Sequence, residues 1–257
     1  MQLLISIKNE QEVLPAVEGG ADIIDVKNPD EGALGANFPH VIRRVRELTP
    51  PDIPVSAAVG DVPNLPGTVA LAALGAATCG VQYVKVGLLG TQTHAEAVYL
   101  LQQVCRAVRG YNPHIRIIAT GYADAPKVNA LPPLALPAAA VESGVDGCML
   151  DTIRKDGSTL LTNLTAEQLR TFVAQCRTAG LMCALAGSLQ RAGDIAQICR
   201  LKVAIIGVRT AACRGDRATG QVDRHKVQQL KALLADNVFP RSGPLSIVPP
   251  VAPDIRR

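Results

Sequence analysis

Eight short apolar runs recur along this chain, each separated from the next by enough residues for a helix. They are LLISI (3–7), IIDVK (23–27), VSAAVG (55–60), YVKVGL (83–88), IRIIATG (115–121), GCMLDT (147–152), MCALAGS (182–188) and VAIIGVR (203–209). Each run is continuously apolar rather than alternating, as in strands covered on both faces. The intervening segments read as helices over 10–19, 38–48, 67–79, 93–109, 133–143, 165–179, 190–200 and 223–236. Several carry boundary signals. Gly19 and Gly20 stop the first, Asn37 is a candidate N-cap for the second, and Thr165 with Gln168 forms a capping box.

Eight strands alternating with eight helices predict a single (β/α)8 TIM barrel over residues 1–236. The rival is a doubly wound sheet, whose nucleotide-binding form would carry a GxGxxG loop after its first strand. SIKNEQE is no such loop. A length of 257 residues suits one barrel, and 48% hydrophobic residues supply its core. From Asn237 onward the chain is proline-rich without helical period. Residues 237–257 are therefore expected to form an extended C-terminal tail, on the surface or against a partner.

Several functional classes drop out. A net charge of +4, spread along the chain, with 3% aromatics and no Trp does not suit a nucleic-acid binder. No apolar run approaches the ~20 residues of a membrane span. The seven cysteines form no CxxC pair and no zinc spacing, so no metal is expected and the thiols read as core filling in a reduced, cytoplasmic protein. Cys213 alone, beside the last strand, is a weak candidate for reactivity. The four histidines fall in helices or connections, not at strand ends.

Two cations are lodged inside the apolar runs, Lys27 and Lys85. A buried ammonium is costly unless it is paired or deprotonated. An amine that readily loses its proton suits Schiff-base chemistry. The chain prefers Arg, 18 against 8 Lys, yet both strand-lodged cations are Lys, and Arg cannot form an imine. Asp25 and Lys27 are two apart and so share one face of their strand. That holds a carboxylate and an amine on one rigid element, either as a structural ion pair or as a reactive one. Repulsion between two inward lysines would lower the pKa of at least one.

In such barrels the active site lies at the C-terminal strand ends. There the chain also offers Asp151, then Lys155 in TIRKDG, each read equally as catalytic or as an ordinary cap and surface cation. ALAGS and GVRTA end the last two strands. Their Gly187, Ser188, Gly207 and Arg209 are candidate phosphate ligands, since small residues let backbone N–H groups approach an anion. The GDR segment at 215–217 extends that pocket or forms a surface turn. The glycine- and proline-containing segments 28–37 and 60–67 either cover the mouth or merely connect. On these residues alone, the chain is a barrel enzyme forming an imine on a phosphorylated carbonyl compound.

The stretches EGGADIIDVKNPDEGALGANFP, PVSAAVGDVPNLPGTVALAALGAA, YVKVGLLGT, ATGYADA, MLDTIRKDG, LAGSL and IIGVRTAACRGDR closely resemble the (5-formylfuran-3-yl)methyl phosphate synthase family. This family is also called 4-(hydroxymethyl)-2-furancarboxaldehyde-phosphate synthase. The resemblance spans about residues 1–235 and leaves out the tail. It implies a (β/α)8 barrel of methanofuran biosynthesis, in methanogens and methylotrophic bacteria, that condenses two molecules of glyceraldehyde 3-phosphate with loss of phosphate and water. It also implies Lys27 as the Schiff-base lysine and Lys85 as the proton acceptor. Asp25, Asp151 and Lys155 match further active-site positions. No cofactor is implied, and a homo-oligomer is expected. The alternatives are a class I aldolase or isomerase acting on another triose phosphate, and a non-catalytic barrel that binds a phosphorylated metabolite.

Overall fold

Every expected strand forms, and each is short because it spans only the barrel wall. In the computed structural model, which describes residues 1–216 and 218–238, they are β1 Gln2–Ile7, β2 Ile23–Val26, β3 Val55–Ala58, β4 Tyr83–Gly87, β5 Arg116–Tyr122, β6 Gly147–Asp151, β7 Met182–Leu185 and β8 Ile205–Val208. They pair in sequence order, all parallel, and β8 closes back on β1 with Leu4 opposite Gly207. The chain is thus a (β/α)8 barrel, as the rhythm of apolar runs predicts.

Alternation along the strands separates two cores. Outward residues such as Leu3, Ile5, Ile7, Ile24, Val26, Val84 and Val86 pack under the helices in one large cluster. Inward residues Leu4, Ile23, Ile118, Met149, Ala184 and Ile205 form a smaller apolar plug within the barrel. One step further along the same inward faces the residues turn polar. Ser6, Asp25, Lys27, Lys85, Thr120 and Asp151 are all buried there.

The helices are α1 Val13–Glu18, α2 Pro39–Leu48, α3 Pro66–Ala77, α4 His94–Tyr111, α5 Leu136–Ser143, α6 Leu160–Asn163, α7 Ala166–Thr178, α8 Ala192–Arg200 and α9 Arg224–Val238. α1 stops at Gly19, followed by Gly20 at φ +95°. The Thr165–Gln168 capping box opens α7, and Thr93–Glu96 does the same for α4. None of the described helices is long and apolar enough to cross a membrane.

Three local expectations are corrected. Asn37 does not cap α2. Phe38 occupies the N-cap without a side-chain bond, Pro39 needs no N–H acceptor, and the Asn37 amide donates instead to the Lys8 carbonyl at 2.8 Å. The segment 133–143 begins as a 3-10 turn over Pro133–Ala135 and becomes α-helical only at Leu136, because its prolines lack donors. α9 runs to Val238, two residues past the expected end at 236, so Asn237 and Val238 continue a helix. The remaining tail call, 239–257, lies outside the described residues. α6 and a two-stranded hairpin, β9 Cys213–Arg214 with β10 Gln221–Val222, were not foreseen. The Gly215–Asp216 part of GDR forms its turn, with Gly215 at φ +90° and Asp216 accepting from the Ala218 and Thr219 N–H groups.

The two glycine-bearing segments interlock over the ends of β2 and β3. The Gly60 N–H donates to the Leu34 carbonyl at 3.0 Å, and the Leu34 N–H donates to Asp61 Oδ2 at 2.7 Å. The fully buried Tyr122 donates its hydroxyl to the other Asp61 oxygen, so β5 is tied to the same lock. Gly87 makes room for it: a Cβ there would lie 2.5 Å from the Tyr122 hydroxyl.

Candidate active site

The barrel gathers Asp25 from β2, Lys27 just past its end, Lys85 from β4 and Asp151 from β6 at one end, with Lys155 in the loop after β6. Asp25 and Lys27, the second one residue past the end of β2, both face inward, as their spacing predicts, but do not pair with each other. Two residues along a strand span about 6.6 Å. The stagger between strands offers each a closer partner. Lys85 Nζ donates to Asp25 Oδ2 at 2.7 Å, the side chains 2% and 0% exposed. Lys27 Nζ lies 3.7 Å from Asp151 Oδ2, and Lys155 Nζ lies 3.3 Å from Asp151 Oδ1. Two buried ion pairs therefore stack within the barrel, with a third lysine at the rim.

The two inward lysines have unequal surroundings. Burial is the largest influence on Lys27 and lowers its pKa from 10.5 to about 8. Asp151 opposes that shift, while the nearby Lys85 charge adds to it. The repulsion expected between the lysines thus operates, but as a smaller cause than desolvation. Burial also pushes Asp151 up, yet the Lys155 and Lys27 charges and the Thr152 N–H at 2.7 Å outweigh it. They hold the carboxyl at about 2. Asp151 is therefore a fixed anion between two amines.

Lys155 is positioned by more than Asp151. Its ammonium donates to the Thr152 carbonyl at 2.6 Å and hydroxyl at 3.1 Å, and that hydroxyl lies 3.2 Å from Ser188 Oγ. A cleft opens above, lined by Ser6, Lys27, Asp151 and Lys155 together with residues 186–189 and 207–210. Gly187 and Ser188 adopt φ of +110° and +56°. For Ser188 that left-handed backbone costs about 1–2 kcal/mol. No described acceptor takes the N–H groups of Gly187, Ser188 or Leu189. Successive unpaired N–H groups on such a turn make an anion-binding concavity.

The structure places Arg209 differently from its sequence neighbours. It borders the cleft, but its guanidinium is directed at Glu12, 3.0 Å from Oε2 and 3.3 Å from Oε1, and at the Ser6 carbonyl at 2.9 Å. Glu12, 1% exposed, also accepts from the Lys8 N–H at 2.8 Å and the Val222 N–H at 3.1 Å. This pair clamps β1, β8 and the β9–β10 hairpin together. Gly207 also lines the cleft; a Cβ on it would crowd Met149 and Ala186 at 3.1 and 3.2 Å.

Ser6, Glu12 and Thr152 were missed as site residues. Ser6 had a signal, since alternation through LLISIK puts it on the inward face with Leu4. Glu12 had none, because a carboxylate in EQE reads as a solvated helix start. Cys213 is fully buried, and burial pushes its thiol up, so it is an inert core residue. All seven cysteines are buried and free, and among the described residues no His, Cys, Asp or Glu group has a metal-holding arrangement.

A family model described as 4-HFC-P synthase matches residues 3–231 of this chain. Relatives called (5-formylfuran-3-yl)methyl phosphate synthase align with it almost end to end. The one from Methanothermobacter thermautotrophicus is 52% identical over 235 residues, covering 91% of this chain and 99% of the relative. Those from Methanopyrus kandleri and Methanocaldococcus jannaschii are 51% and 49% identical, each covering 91% of this chain and 99% of the relative. Among solved structures, "QR15, an Aldolase" superposes with a TM-score of 0.61 at 12% identity, covering 92% of this chain and 95% of that one. At that identity the likeness shows the fold alone.

Proposed function

The chain belongs to the 4-HFC-P synthase family, and on that footing we propose that this enzyme condenses two molecules of glyceraldehyde 3-phosphate through an imine on Lys27. Phosphate and water are lost, and the product is (5-formylfuran-3-yl)methyl phosphate. The observation that carries the reading is the contrast between the two buried lysines. Lys27 faces the cleft with its pKa brought down to about 8. Lys85 lies deeper, bonded to Asp25.

In this scheme the neutral Lys27 amine attacks the aldehyde carbon, and water leaves as the imine forms. The imine acts as an electron sink and acidifies the adjacent C–H bond. That proton passes to the Lys85–Asp25 pair, whose buried Asp25 Oδ1 has no partner. The resulting enamine expels phosphate or attacks the second aldehyde. Ring closure and dehydration give the furan, and hydrolysis frees Lys27. Asp151, a fixed anion, neutralises the cationic imine, and Asp25 moves protons to departing hydroxyls. Substrate phosphate is held by Lys155, Ser188 and the backbone around Gly187 and Gly207. Arg209 supports that turn while its charge is matched by Glu12. The product would feed a methanofuran-type carrier of one-carbon units.

Incubation with glyceraldehyde 3-phosphate alone tests the proposal. Furan absorbance rising with released phosphate is expected. A non-furan product would point to an aldolase or isomerase, and no reaction to a binding protein.

The lowered pKa sets a pH dependence. At pH 7 about a tenth of an amine with pKa 8 is neutral, against less than about a thousandth of an ordinary lysine. Imine formation, read as the initial rate of borohydride-trapped adduct, should rise with pH and level off above about pH 8. A rate still climbing tenfold per unit beyond pH 9 would mean that Lys27 titrates as an ordinary exposed lysine.

A further inference from the structure

Ser6 sits where the phosphate turn, the cleft and the Lys85–Asp25 pair meet. It is 3% exposed and lines the cleft beside Lys27. Its carbonyl accepts from Arg209 Nη1 at 2.9 Å. Its hydroxyl donates to Asp25 Oδ2 at 2.9 Å, the same oxygen that takes Lys85 at 2.7 Å. Both bonds converge on one oxygen, and Asp25 Oδ1 is left buried without a partner. Buried carboxylate oxygens are almost always satisfied, and an exception in a catalytic barrel points to a group that something else completes.

We propose that Ser6 is a positioning residue of this site. It fixes the Asp25 carboxylate so that Oδ2 stays on Lys85 and Oδ1 is presented as an open acceptor for a substrate hydroxyl or proton. The inference rests on the imine reading above and adds a residue to it. Two restraints act on Ser6 at once. Arg209, clamped by Glu12, holds its backbone, and Asp25 holds its side chain. Without the hydroxyl, only Lys85 orients the carboxylate. A flexible amine on a four-carbon stem allows rotation that exchanges the two oxygens.

Lys27 is paired with Asp151 rather than with Asp25 or Ser6, so the first covalent step should not depend on this contact. Misplacing a proton-handling group by about 1 Å costs up to about a hundredfold in rate. Ser6→Ala is therefore expected to lower turnover at saturating glyceraldehyde 3-phosphate by about ten- to a hundredfold. KM should stay within about threefold, and the yield of the borohydride-trapped Lys27 adduct should be unchanged. Ser6→Thr, which keeps the hydroxyl, should recover most of the loss.

Wild-type turnover in Ser6→Ala overturns the proposal. So does a parallel fall of turnover and adduct yield, the sign of a collapsed barrel, or a failure of Ser6→Thr to recover activity. The imine reading fails separately, when the wild-type enzyme itself gives no Lys27 adduct. Phosphate release by the same two variants then still decides whether the Ser6 hydroxyl matters.

Discussion

Lys27→Arg is expected to be folded and inactive. Arginine keeps a positive charge opposite Asp151, which otherwise would be a buried anion with only Lys155, at the rim, beside it. The guanidinium also retains donors to reach Asp151 Oδ2. It cannot form an imine, so the proposed covalent route is closed. Turnover should fall by on the order of a thousandfold or more, as when a covalent nucleophile is removed from a site that keeps its other groups. No borohydride-trapped adduct should appear by peptide mass mapping. The cooperative unfolding transition should stay close to that of the wild type, which separates lost chemistry from lost structure. An adduct that persists in Lys27→Arg and maps to Lys85 would reverse the roles of the two lysines. Lys85→Arg does not repeat this experiment. Lys85, on β4 between β3 and β5, is 2% exposed and bonded to Asp25, so its replacement disturbs the buried pair itself.

Lys27, Lys85, Asp25 and Asp151 were legible because they are exceptions within apolar runs. A run such as IIDVK tells where the strand is and which of its residues must face an unusual interior. That Gly187, Ser188 and Gly207 border the cleft was legible for a related reason, as small residues at strand ends where a side chain would fill the mouth. What could not be read was pairing across strands. Asp25 looked like the partner of Lys27 because the two are neighbours on one face. The barrel's stagger instead sets Lys85 against Asp25 and Asp151 against Lys27. Arg209 shows the same limit. A guanidinium after a glycine-ended strand suits a phosphate, and only the fold reveals that Glu12, 197 residues earlier, takes its charge. Glu12 itself is buried by the hairpin at residues 213–222, which no periodicity announced. The family resemblance brought roles to matching positions, but Ser6 and Glu12 carry no motif to match.

The Lys85–Asp25 pair leads to the largest expected change in stability. Both groups are buried, and each is the other's ion-pair partner. Lys85→Met keeps most of the side-chain volume and removes the charge. Asp25 is then left with the Ser6 hydroxyl alone, in a barrel plugged by Leu4, Ile23 and Met149. Breaking one side of a buried pair costs about 3–5 kcal/mol, because the remaining charge is uncompensated. Adding Asp25→Asn should restore most of that loss, since the amide can accept from Ser6 without carrying charge. The double variant is thus expected to unfold in urea near the wild-type midpoint, while Lys85→Met alone unfolds well below it. Neither should release phosphate at more than about a hundredth of the wild-type rate, because the lysine of the proposed proton-handling pair is absent from both. Stability recovering while activity does not is the pattern that assigns the pair to chemistry. If Lys85→Met alone were as stable as the wild type, the 2.7 Å contact would not be the ion pair described above. If the double variant regained activity, the proton would have to travel through Asp151 and Lys155 instead.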